Sequence, residues 1–103
     1  MAKNTKKSIY LIYNMQTYKF IIKGIVQGVC YRQTIYDNAN AHNIKGEVKN
    51  LSNSNVQAIA NLDSSNFDLF VSILKKGSSY SQVKKVTSSK INTKTYSSFS
   101  ITY

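Results

Sequence analysis

The stretch GIVQGVCYR, residues 24–32, joins two glycines to an arginine through a run too interrupted for a strand and too glycine-rich for a helix interior. If residues 24–30 turn the chain from a strand into a helix, the backbone N–H groups of Gln27, Gly28, Val29, Cys30 and Tyr31 point into one concavity at the helix N-terminus. Such a nest of donors, backed by the partial positive charge of the helix end, binds anions. Arg32, in the first turn, adds a planar fork of donors matched to phosphate oxygens. The pattern is not a Walker loop, because no Gly-Lys-Ser/Thr follows, nor the dinucleotide fingerprint G-x-G-x-x-G. A plain surface turn with a solvated arginine fits the same spacing and stays open at this level.

A second polar residue stands out in GEVKN, residues 46–50. Asn50 ends a strand pattern where Asn is disfavoured, and in a split βαβ arrangement that strand end lies near the glycine turn. An ordinary turn residue is the alternative. The chain has one His and one Cys, with no carboxylates at ligand spacing, so neither a metal site nor a cofactor is expected. A nucleophilic role for Cys30 is not expected either, since His42 is the sole imidazole and no acidic partner completes a triad.

The elements that must position these residues follow from periodicity. YKFIIKGIV, residues 18–26, is β-branched and aromatic throughout, which predicts a strand inside the sheet. Tyr31, Ile35, Ala39 and His42 recur at helical spacing, and Asn43 suits the left-handed residue that ends a helix. IKGEVKNL and a strand from Val56 to Leu62 flank the turn formers Ser52 to Asn55, predicting a hairpin with one mostly polar face. Asp63, Ser64 and Ser65 offer N-caps for a helix carrying Phe67, Phe70, Val71 and Leu74, which Gly77 closes. A strand near Gln82 to Ile91 and a short one with Phe99, Ile101 and Tyr103 complete βαββαβ plus a final strand. That order predicts an α+β, ferredoxin-like sandwich: two helices on one face of a four- to five-stranded antiparallel sheet, the other face open to water.

At 103 residues the chain fits one domain. Residues 1–14 are basic, Asn-rich and aperiodic, and read as a flexible N-terminal extension before a domain over 15–103, with Met15 as a possible internal start. Lys and Arg number 14 against 4 acids, a formal charge of +10, which draws phosphates, nucleic acid or anionic lipid. The single cysteine excludes an internal disulfide and suits a reducing, cytoplasmic setting. No apolar run is long enough for a membrane helix, so a soluble protein with no membrane partner is expected, and a small domain with a polar exposed sheet is expected to be a monomer. A basic RNA-binding domain of the same architecture is the rival function, but the strand NVQAIANL carries no aromatic to stack a base and no RNP-type run appears. Nucleic acid is therefore not expected as the partner.

VQGVCYR followed, eighteen positions after the arginine, by Asn50 within G-x-V-x-N resembles the acylphosphatases, whose usual form is VQGV-x-F-R and later G-x-V-x-N. The likeness runs from about Tyr18 to Tyr103 and includes Ala39, Gly46, the Gly77-Ser78 turn and the ending YSSFSITY. It implies a ferredoxin-like fold and metal-independent hydrolysis of the carboxyl-phosphate bond of an acyl phosphate, yielding carboxylate and inorganic phosphate. By the same resemblance Arg32 and the loop Gln27, Gly28, Val29, Cys30 and Tyr31 grip the phosphoryl group, and Asn50 positions the attacking water. A phosphate-binding module without turnover is a further alternative. His42, Asn43 and Glu47 depart from the family pattern and are expected to lower stability without touching Arg32 or Asn50. No backbone strain is expected at Cys30.

Overall fold

The structure, a computed structural model, describes residues 15–93 and 95–103; the extension expected over residues 1–14 lies outside them. The elements run β1 (Gln16–Ile25), α1 (Tyr31–Ala41), β2 (Lys45–Asn50), β3 (Val56–Leu62), α2 (Ser64–Lys76), β4 (Gln82–Ile91) and β5 (Phe99–Thr102). One five-stranded sheet has the order β4-β1-β3-β2-β5. The apolar strand β1 is internal, paired antiparallel with both β3 and β4. β2 also pairs antiparallel with β3.

The expectation of an antiparallel sheet needs one correction. β5 pairs parallel with β2, Gly46 opposite Phe99 and Lys49 opposite Thr102, so the sheet is mixed. The difference is topological: β5 arrives at the outer edge of β2 after crossing from β4 on the opposite edge, a connection whose direction no local pattern encodes.

Alternation along the strands sends Phe20, Ile22, Val48, Val56, Ala58, Ala60, Leu62 and Phe99 to the face covered by the helices, where all are buried. Tyr31, Ile35 and Ala39 of α1 and Phe70, Ile73 and Leu74 of α2 close this core. Aromatic rings knit it together, with Phe20 and Phe70 meeting edge-on at 5.3 Å and Tyr18 and Phe67 at 4.7 Å between centroids. Each such side chain contributes about 1.5–3 kcal/mol by leaving water. Asp63 caps α2 by accepting from the Asn66 N–H at 2.9 Å, and Gly77 follows the helix at φ 56°. Asn43 has the left-handed φ of 56° expected of it. His42 departs from the expected stripe: it is exposed at the end of α1, because that helix finishes at Ala41.

On the open sheet face β1 and β3 present Lys19, Ile21 and Lys23 beside Gln57, Ile59 and Asn61. Not all of that face meets water. Asn61 is only 4% exposed, because its amide donates to Thr17 Oγ1 at 2.8 Å and its carbonyl accepts from the Tyr96 N–H at 2.7 Å. The β4–β5 connection thus covers one end of the face predicted to be polar and free. Burial and, secondarily, the nearby Glu47 charge push the Tyr96 phenol above its ordinary pKa.

Gly24 marks where β1 hands the chain to the loop that follows. The β1–β4 register shifts between Lys23 and Gly24, a bulge that bends the strand. At φ 137° a Cβ on residue 24 would collide with the Gln82 carbonyl oxygen, so only glycine lets the two backbones approach there.

Candidate active site

The loop between β1 and α1 is bent by two left-handed residues, Gly28 at φ 71° and Cys30 at φ 62°. Gly28 has open space where a Cβ would sit, so its backbone angle, and not crowding, calls for glycine. Cys30 is the finding that differs from expectation. A non-glycine residue in this region costs on the order of 1–2 kcal/mol, so the loop does store strain at the N-cap of α1. The exposed thiol is carried by that strained residue.

No side chain caps α1, and its first turn holds no acid. The first helical hydrogen bond, Thr34 N–H to the Cys30 carbonyl at 3.1 Å, leaves the N–H groups of Tyr31, Arg32 and Gln33 without intrahelical partners. Thr34 Oγ1 also donates to the Cys30 carbonyl at 2.9 Å, turning that oxygen into the helix. The result is a donor-rich helix end with no acidic side chain in its first turn.

A cleft of about 180 Å³ opens at this end, lined by Val26, Gly28, Cys30, Tyr31, Arg32, Gln33, Ile101 and Tyr103. The Arg32 guanidinium lies over the Tyr103 ring, 5.1 Å from its centroid, a cation–π contact that restrains the charge without neutralising it. Ile101 and Tyr103, which nothing in local sequence marked as site residues, enter because the parallel edge strand β5 ends here. An aromatic at an arginine has no spacing signature when the two are seventy-one positions apart.

The other expected residues are placed around the cleft and not all in it. Val29 packs on the core, and its carbonyl accepts from Ser78 Oγ at 2.5 Å. Gln27 turns its side chain away: Nε2 donates to the carbonyls of Leu51 at 2.8 Å and Asn55 at 2.7 Å, the two ends of the β2–β3 turn. Asn50 is not in the cleft wall. It ends β2 opposite Val56 and so shares the helix-covered face with Val48 and Val56. Its Oδ1 is buried and has no hydrogen-bond partner among the described residues. A buried orphaned carbonyl costs about 1–3 kcal/mol, which a water or ligand donor would relieve.

Tyr31 anchors the loop from behind. It is 1% exposed, and its hydroxyl donates to the Leu74 carbonyl at 2.7 Å, joining the start of α1 to the end of α2. Burial raises its phenol well above the ordinary tyrosine pKa. The neutral form is thus the one the fold favours, and its contribution is complete below pH about 10 and is lost as pH rises beyond that. Tyr31→Phe is expected to cost about 1–2 kcal/mol at neutral pH by orphaning the carbonyl. Urea titrations at pH 7 and pH 10.5 check both points, the variant's deficit shrinking at the higher pH.

Comparison with known proteins bears directly on this site. The pattern of the family described as Acylphosphatase matches residues 18–101. The chain belongs to that family. An acylphosphatase of Ligilactobacillus salivarius is 39% identical over 90 residues, spanning 86% of this chain and all of that one. The acylphosphatase of Treponema denticola is 36% identical over 98% of both chains. The crystal structure of the Bacillus subtilis acylphosphatase superposes with a TM-score of 0.80 at 29% identity, covering 86% of this chain and 99% of that one. The acylphosphatase fold, two helices on one side of a five-stranded mixed sheet, is therefore the one seen here.

Proposed function

We propose that acyl phosphates are hydrolysed in the cleft between the β1–α1 loop, α1 and β5. The observation that carries this reading is that Arg32 and the residues of the uncapped start of α1 line one small cavity. A phosphoryl group seated there meets a fixed positive charge and several N–H donors at once. The enzyme hydrolyses the bond between phosphorus and the acyl oxygen: water oxygen attacks phosphorus, the bond to the carboxylate breaks, and the bonding pair leaves with the carboxylate. A carboxylate is a good leaving group, so holding the reactants and stabilising charge on the equatorial oxygens supplies the catalysis.

The Arg32 guanidinium strengthens its grip as negative charge gathers on the phosphoryl oxygens. The amides of Gly28 through Tyr31 contribute donors that need no reorganisation. Asn50 lacks a titrating group and holds the water by its carbonyl, so the water's proton passes to a phosphoryl oxygen of the substrate, and the products are carboxylate and monohydrogen or dihydrogen phosphate. The unpartnered Asn50 Oδ1 on the helix side supports this assignment.

The assay is release of phosphate from acetyl or benzoyl phosphate by the purified protein. Turnover is expected, and its absence with phosphate still bound would leave a binding module. No group of three or more His, Cys, Asp or Glu side chains fit to hold a metal occurs among the described residues, and the site reading routes no step through one. Activity is therefore expected to be unchanged, within twofold, after dialysis against a strong chelator; recovery on adding back a divalent ion would contradict it.

No helix among the described residues is long and apolar enough to cross a membrane. The reading places the enzyme in the cytoplasm as a monomer, supported by its lone cysteine and by a site built wholly within one chain.

A further inference from the structure

Resting on the site reading above, we infer that the Gln27 side chain is a positioning residue: it fixes the spacing between the phosphoryl-gripping loop and Asn50, acting on catalysis through Asn50. The glutamine was singled out for its backbone amide, yet its carboxamide makes the stronger structural statement. One nitrogen donates both of its hydrogens, to Leu51 O at 2.8 Å and to Asn55 O at 2.7 Å. Leu51 directly follows Asn50, and Asn55 directly precedes Val56, the residue paired with Asn50 across the hairpin. The fork therefore grasps the backbone on both sides of the Asn50–Val56 pair.

The turn it grasps needs holding. Residues 51–55 contain no glycine, Ser54 sits at φ 73°, and the turn's own bonds are the Leu51 N–H to Asn55 carbonyl at 2.9 Å and the Asn55 N–H to Asn53 Oδ1 at 3.1 Å. A left-handed serine opposes the observed conformation by on the order of 1–2 kcal/mol. The Asn55 carbonyl receives both the Leu51 N–H and Gln27, so the tie adds to the bond that closes the turn. On the other side, Gln27 is one residue from Gly28 and belongs to the loop that leads into Arg32. Two partly buried hydrogen bonds thus bridge the two halves of the site, which covalently are joined only through α1 and β2.

The chemistry of the tie is specific. It requires two N–H donors on one atom at glutamine's reach: methionine keeps the shape and has none, and glutamate keeps the shape but turns lone pairs toward two carbonyls. A displacement of about 1 Å between a bound phosphoryl group and its water costs on the order of 10²-fold in rate. Phosphate grip, which is local to the loop and Arg32, is spared.

The experiment is a double-mutant cycle with Gln27→Met and Asn50→Ala, reading kcat for benzoyl phosphate and the competitive inhibition constant of inorganic phosphate, with thermal melts to confirm folding. Gln27→Met is expected to lower kcat about 10- to 100-fold with the phosphate constant changed less than threefold, and to lower it less than twofold further in the Asn50→Ala background. Additive losses in the cycle, or wild-type kcat in Gln27→Met, overturn the inference. If Gln27→Met does not fold, Gln27→Glu is read in the same cycle by the same criteria. Failure of the site reading itself looks different: Asn50→Ala alone then retains its turnover.

Discussion

Arg32→Gln is expected to lower kcat/KM for a small acyl phosphate by on the order of 10³-fold or more and to abolish competitive inhibition by inorganic phosphate. The magnitude follows from what the side chain supplies. Loss of a single transition-state donor in a preorganised site costs about 10²–10³ in rate, and an arginine on a transferring phosphoryl group reaches 10³–10⁵. Glutamine keeps a polar tip but removes the charge and the fork. In the proposed mechanism the guanidinium meets the phosphoryl group in substrate, transition state and product alike, so binding and turnover should fall together. Arg32→Lys would test geometry against charge: an ammonium keeps the sign but not the two parallel bonds, so recovery is expected to be slight. Initial rates and phosphate inhibition on the same preparations decide it, and wild-type phosphate inhibition in Arg32→Gln would remove the arginine from the site.

For Asn50→Ala the expected result has a different shape, a fall in kcat of about 10²–10³-fold with the phosphate inhibition constant within about threefold of wild type. The side chain does not line the cleft, whereas Arg32, Gly28, Cys30 and Tyr31, to which the proposal gives the phosphate, do. On the proposed reading its loss removes the carbonyl that orients water and leaves the loop and Arg32 donors in place. Stability should not explain the loss, because the deleted oxygen is one that forms no bond within the described protein; its removal relieves an unsatisfied group while the rest of the carboxamide leaves a small cavity. A melt within a few degrees of wild type together with collapsed kcat is the expected signature. Unchanged kcat would strip Asn50 of its role.

How much of this was legible in the sequence depends on the range of the interaction. The helix carrying Phe67, Phe70, Val71 and Leu74, its Asp63 cap and its Gly77 end are local effects, and they appear where periodicity put them. The glycine turn and Arg32 were visible for the same reason: left-handed backbone and an uncapped helix are written within nine residues, 24–32. Cys30 was misread because a side chain at a left-handed position leaves no trace in composition. The parallel pairing of β5 and the arrival of Ile101 and Tyr103 at the arginine were beyond reach, being decided by which sheet edge the last strand chooses. The Gln27 tie was hidden in another way, for a glutamine in a loop reads as a solvated side chain until the turn it bonds is known.

The placement of β5 has a consequence for how the enzyme comes into being. One wall of the cleft is furnished by Val26, Gly28 and residues 30–33 and the other by 101 and 103, so the pocket closes a loop of nearly the whole domain, at an entropic cost that grows only slowly with length but must be met before the contact rewards it. A nascent chain still emerging from the ribosome can form α1 and the β2–β3 hairpin with their local contacts, yet it owns half a binding site. The cleft is then complete only once β5 has joined the sheet, and it opens on that side when the edge strand frays.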